Sequence, residues 1–114
     1  YDRYECMLEA ERGESSHRWY LEVEGRVRDQ IGALSSSDRR AGFQSIRELL
    51  IAENPQLASN TRKLTEKRFE GLWRKRQGDY RIFFAIEVGK ITVDKFSYKG
   101  QVIIVEVVHR KDAY

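Results

Sequence analysis

The first strong pattern along the chain is a period of two. Over residues 17–23, Trp19, Leu21 and Val23 alternate with Arg18, Tyr20 and Glu22, which predicts a half-buried strand. The period then lengthens. Val27, Ile31 and Leu34 recur at spacings of four and three, lining one face of a helix over residues 24–34. A run of serines interrupts, Ser37 before Asp38 offers an N-cap, and Phe43, Ile46, Leu49, Leu50 and Ile51 form a second helical stripe that Asn54-Pro55 should stop. Residues 69–76 then predict a strand, Gly78-Asp79 a tight turn, and the aromatic, β-branched stretch 80–88 the returning strand of a hairpin. Residues 90–93 extend that strand or begin another. Tyr98-Lys99-Gly100 reads as a turn. Residues 101–108, nearly continuous in β-branched side chains, suit a central strand covered on both faces. Trp73, Phe83 and Phe84 belong to the expected core.

This order predicts an α+β fold: an N-terminal strand, then a two-helix hairpin packed on one face of a small, mainly antiparallel sheet. Residues 17–114 make a single domain. Residues 1–16 form an N-terminal extension, either a short helix (Tyr4, Met7 and Leu8 are suitably spaced before Gly13) or an appended remnant.

Length and composition narrow the function. A chain of 114 residues supports one modest core. One cysteine, Cys6, excludes an intrachain disulfide and any multi-cysteine metal or cluster site, and two histidines exclude a histidine-only metal cage. No metal or other cofactor is expected, and a reducing cytoplasm is the expected setting. No apolar run approaches the roughly 20 residues needed to span a bilayer, so no membrane role is expected.

The net charge of +3 conceals a split. Residues 1–60 carry 8 Lys/Arg against 11 Asp/Glu, whereas residues 61–114 carry 13 against 7. Residues 62–81 alone hold eight cations, Arg62, Lys63, Lys67, Arg68, Arg74, Lys75, Arg76 and Arg81, against Glu66, Glu70 and Asp79. Such an excess has the form of a polyanion footprint, or else of a solvated surface. Gly-rich phosphate loops, nucleophile elbows and His-x-x-x-His pairs are all absent, so nucleotide hydrolysis, serine-hydrolase chemistry and zinc chemistry are poorly supported. What remains is cations with aromatics: Arg74, Lys75 and Arg76 on one strand, Arg81 on the next, and His109, Arg110, Lys111 and Tyr114 leaving the last.

Two segments, LWRKRQGDYRIFF over residues 72–84 and VVHRKDAY over residues 107–114, together resemble the RelE/ParE superfamily of toxins from toxin-antitoxin systems. The strand-helix-helix prefix agrees, so the resemblance covers residues 17–114. It implies a small sheet with a helical hairpin on one face and a cognate antitoxin as partner. For the RelE branch it implies metal-independent cleavage of mRNA in the ribosomal A site. For the ParE branch it implies non-enzymatic inhibition of DNA gyrase. An RNA-binding relative without chemistry is a third reading.

By this resemblance Arg81 would contact the scissile phosphate, Arg110 would stabilise transition-state charge, and Tyr114 would stack on a base or help to shift a proton. Arg74 takes the place of a basic residue on the preceding strand, while Leu72 stands where some members have a second lysine. That departure leaves the general base open, and His109 is the substitute, since an imidazole titrates near neutrality. Lys63, Lys67, Arg68, Lys75, Arg76 and Lys111 would bind the RNA backbone. Between the last strands the chain is longer than compact members, with residues 90–100 as an extended hairpin.

Overall fold

The computed structural model describes residues 18–65, 67–93 and 95–112. The expectations for residues 1–16, including Cys6, and for His17 lie outside the described residues. Among the described residues, five strands make one sheet in the order β1-β5-β4-β3-β2. They are β1 (Tyr20–Val23), β2 (Thr61–Lys63), β3 (Trp73–Gln77), β4 (Tyr80–Val93) and β5 (Phe96–His109). The β1–β5 pair is parallel and the others are antiparallel. Between β1 and β2 run two helices, α1 (Gly25–Gly32) and α2 (Ser36–Ile51). The α+β class and the helical pair on one face agree with the sequence; the sheet is mixed through its one parallel pair.

The helical stripes and alternate strand positions meet in one core. Val27 and Ile31 of α1 and Phe43, Ile46, Leu49 and Leu50 of α2 pack on Leu21, Ile82, Phe84, Val102, Ile104 and Val107. The cap of α2 is Ser35 rather than Ser37: the Ser35 hydroxyl accepts the Asp38 amide at 3.2 Å, and Ser37 sits inside the first turn. The helix stops at Ile51, before Asn54-Pro55, because the chain leading into β1 binds its terminal carbonyls. The amides of Arg18 and Trp19 donate to the Leu50 carbonyl at 2.9 and 3.1 Å, and the Trp19 indole donates to the Ala52 carbonyl at 2.9 Å.

The second half departs from the sequence expectation in three places. The strand expected over residues 69–76 begins only at Trp73, preceded by a 3₁₀ turn at Lys67–Phe69. A further edge strand, β2, pairs with β3; Thr61-Arg62-Lys63 has no apolar alternation by which to announce itself. Tyr98-Lys99-Gly100 is strand, not turn, and β4 and β5 reverse between Val93 and Phe96. Glycine at 100 serves close approach instead. A Cβ there would fall on the Glu87 carbonyl oxygen and within 2.9 Å of Trp19 Cζ3. The two-residue turn Gly78-Asp79 is as expected, with Gly78 at φ +55°.

β5 explains its β-branched run through a bulge. Phe83 opposes Glu106 and Phe84 opposes Ile104, leaving Val105 as the extra residue. Ile104 and Val107 face the helices, while Val105 and Val108 reach a second, smaller cluster on the other side with Leu64, Phe69, Leu72 and Phe83. That side is covered only in part, by the segment between β2 and β3. Helix α1 satisfies the backbone beyond the end of β1. Arg26 Nε donates to the Val105 carbonyl at 2.9 Å, and the Val107 amide donates to Gln30 Oε1 at 2.8 Å.

Gly100→Ala should therefore destabilise the fold by about 1–3 kcal/mol, since the colliding neighbours are a ladder carbonyl and a core tryptophan. Urea unfolding would show a lower midpoint with an unchanged m-value.

Candidate nucleic-acid interface

Strand alternation decides what the sheet presents on the side away from the helices. In β4, Ile82 and Phe84 face the helical core and Phe83 the opposite cluster, so Arg81 lies on the side away from the helices, the open face, where Phe83 itself is buried beneath Phe69. The register then adds the neighbours. Arg74 opposes Phe83, Arg76 opposes Arg81, and Arg62 opposes Arg74. Four arginines from three strands thus share one face, with cross-strand neighbours about 5 Å apart at their Cβ atoms.

The proximity is visible in their protonation. The Arg74 guanidinium has its pKa lowered, first by burial and then by the charges of Arg62, Arg81 and Arg76. That of Arg81 is also lowered, first by burial and then by Arg76 and Arg110, with Asp79 opposing. Both stay charged at neutral pH, because arginine titrates far above it. Arg81 is fixed by its own turn: Nη1 donates to the Gly78 carbonyl at 3.1 Å and to the Tyr80 carbonyl at 3.0 Å. Its Nε is enclosed and has no acceptor among the described residues.

Arg110 follows β5 in a 3₁₀ turn (Arg110–Asp112) and joins the same end of the sheet. Its amide donates to the Asp79 carbonyl at 2.7 Å, and its Nε stands 3.6 Å from the Asp79 carboxylate, both side chains mostly exposed. Arg81, Arg74 and Arg110 are therefore brought together with Arg76. Lys63, Lys67 and Lys111 are exposed around this region. Arg68 lies in the 3₁₀ turn Lys67–Phe69, its side chain outside the described residues, as is Tyr114.

Two expected site residues point elsewhere. Lys75 alternates onto the helix side, where it is 1% exposed. Its Nζ is 2.9 Å from a Glu48 carboxylate oxygen and donates to the Ser59 carbonyl at 2.7 Å. It is a buried tie between α2 and the sheet and offers nothing to a polyanion. His109 opposes Tyr80, rings 5.4 Å apart edge to face, and its Nδ1 accepts the Lys111 amide at 3.2 Å. Together with Asp38, Gly42, Tyr80 and Val107 it lines a cavity of about 460 Å³ between the helices and the end of the sheet. It is thus on the helix side, away from the Arg74–Arg81 row.

Sequence reasoning left two members of the open face out of the site. Arg62 is placed by the unforeseen β2, and Glu106 is placed by the bulge, which sets it opposite Phe83. Arg62 belongs to the cationic run of residues 62–81, but neither the strand that aims it nor the bulge that sets Glu106 has a local sequence signal. Among the described residues, no group of three or more His, Cys, Asp and Glu side chains could hold a metal ion, and no helix is long and apolar enough to cross a membrane.

Comparison with solved structures matches this arrangement to a chain of the crystal structure of the archaeal RelE–RelB complex from Pyrococcus horikoshii OT3. The match covers 84% of this chain and 99% of that one, at a TM-score of 0.56 and 20% sequence identity. The fold is RelE-like. No family model matches the chain, and no curated protein does. The likeness is one of fold, and the identity is too low to carry residue roles across.

Two measurements separate the outward arginines from the inward lysine. Arg76→Gln relieves repulsion on both Arg74 and Arg81, so melting should rise by about 2 °C at low salt, with the gain vanishing in concentrated salt. Lys75→Met leaves Glu48 without its partner and should cost about 1–3 kcal/mol in chemical denaturation, a figure moderated by the exposure of Glu48.

Proposed function

We propose that this protein is a toxin of a toxin-antitoxin system that cleaves mRNA on the ribosome, and that a cognate antitoxin restrains it. The observation that carries the reading is the row Arg62, Arg74, Arg76 and Arg81 on the open sheet face. Two of its guanidinium groups are partly desolvated and held charged against one another. Folding gains nothing from such repulsion, but an incoming phosphodiester relieves it. The fold shared with a chain of the RelE–RelB complex supports the toxin reading and the antitoxin as partner.

The chemistry needs few groups. Attack of a ribose 2′-OH on its own phosphate gathers charge on the non-bridging oxygens, and fixed cationic donors stabilise that charge more than the ground state. Arg81, anchored by its Nη1 bonds, and Arg74 beside it fit this role. Arg110 at the sheet end adds a third donor, and arginine cannot serve as the base because it stays protonated. The ribosome would supply in-line geometry by holding the message. Tyr114 remains the proposed stacking or proton-shifting group, Lys63, Lys67, Arg68 and Lys111 the proposed backbone contacts, and the cytoplasm the setting the substrate requires.

In a cell-free translation reaction, purified protein should produce new mRNA 5′ ends that require ribosomes. Arg81→Ala should lower the cutting rate about 10²–10³-fold. Intact mRNA with uninterrupted translation would overturn the reading and direct attention to gyrase, by a supercoiling assay.

A further inference from the structure

Metal-free cleavage by 2′-OH attack requires a proton acceptor on the same face as the arginines. His109 is on the other side, and the Asp79 carboxylate is engaged by Arg110 at the turn. Among the carboxylates of the described strands, three alternate onto the open face, Glu22, Glu87 and Glu106, while Glu70 is exposed in the segment that covers part of this side. Glu87 accepts a hydrogen bond from Gln101 Nε2 at 2.7 Å and lies four residues along β4 from Phe83, about 13 Å away. Glu22, opposite Ile103 on β1, is at the same distant end. Glu106 differs. It opposes Phe83, as Arg74 does from the other side, and it stands one diagonal step from Arg81, about 7–8 Å between Cα atoms and within reach of long side chains. It is half-buried, and its carboxylate has no hydrogen bond or ion pair among the described residues.

We propose that Glu106 is the general base of the arginine face. The inference rests on the reading of that face as an RNA-cleaving site. In the step it performs, the Glu106 carboxylate takes the proton of the 2′-OH as the O2′–P bond forms. The P–O5′ bond breaks, and the leaving 5′ oxygen takes a proton from water. The resulting hydroxide is neutralised by the proton held on Glu106. The products are a 2′,3′-cyclic phosphate and a 5′-hydroxyl, with no redox change and no metal. The positions suit the division of labour. Arg74 and Arg81 address the phosphate oxygens, while the carboxylate, unpaired with either, keeps a lone pair for the proton. The bulge at Val105 is the device that sets Glu106 opposite Phe83 while returning Val107 to the helical core.

The test is single-turnover cleavage of mRNA on programmed ribosomes, measured across pH for the full chain and its variants. Glu106→Gln, nearly isosteric, should cut about 10²–10⁴-fold more slowly. It should also flatten the acid side of the pH–rate profile, where the wild type should slow. Glu106→Asp retains a carboxylate one methylene short, so it should recover part of the rate and keep the acid limb. Binding to ribosomes carrying a 2′-O-methyl message, which cannot react, should be unchanged in all three, which guards against a variant that merely misfolds. Wild-type cutting with Glu106→Gln equally fast, or slowed with its acid limb intact, would overturn the assignment while leaving the nuclease reading in place. A wild type that does not cut would overturn both.

Discussion

The ladder between β4 and β5 places nearly everything else. These two long strands pair antiparallel from Tyr80 and His109 to Val93 and Phe96, and β1 and β3 are laid against their outer edges. Because successive strand residues point to opposite sides, burying Ile82 and Phe84 under the helices obliges Arg81 and Phe83 to face away from them. A slip of one residue would bury Arg81 and expose the core. The hydrophobic pattern of residues 80–86 therefore fixes the cationic face as firmly as it fixes the core. The two-residue turn at Gly78-Asp79 carries that register onto β3, where Arg74 and Arg76 follow.

The charges on this face work against stability. Four like charges on adjacent strands repel, and burial raises the cost of keeping Arg74 and Arg81 protonated. The opposite side compensates with a continuous apolar core and with Lys75, whose charge is turned inward and matched by Glu48. One lysine among three neighbouring cations is thus a structural tie, while the arginines on either side of it are presented outward. Alternation makes the distinction; residue type does not.

The strong periodicities made much of the fold readable. The strand around Leu21, both helical stripes, the Gly78-Asp79 turn and the strand through Phe84 follow from local pattern. What escaped was set by distant contacts. The end of α2 depends on the amides of Arg18 and Trp19, some thirty residues earlier. The strand character of Tyr98-Lys99-Gly100 comes from pairing with β4, and glycine stands at 100 because Trp19 and the Glu87 carbonyl leave no room for a Cβ. β2 exists because β3 offers it an edge. Within the candidate site, Arg74 and Arg81 were legible because they flank a recognisable turn. Lys75 turns inward, which its sequence does not show, because charge at a strand position gives no sign of its face. Arg62 and Glu106 join the face through a partner strand and a bulge, neither of which has a local signature.

The end of β5 shows how neighbours in sequence can divide between two chemistries. Val108 opposes Arg81 and packs with the cluster on the open side, while His109 opposes Tyr80 and borders the cavity beneath the helices. Arg110 leaves the strand and is drawn to Asp79, and so back toward Arg81. A segment that looks in sequence like one catalytic cluster is therefore split: its imidazole holds the Lys111 amide on the helix side, while its guanidinium reinforces the cationic face. A carboxylate of β5 that is to stand on the face of Arg74 and Arg81 must come from a residue that shares their parity in the sheet. Chain proximity cannot supply that. The bulge at Val105 can, because the extra residue resets the alternation of β5 and lets Glu106 stand opposite Phe83 while Val107 still seals the core.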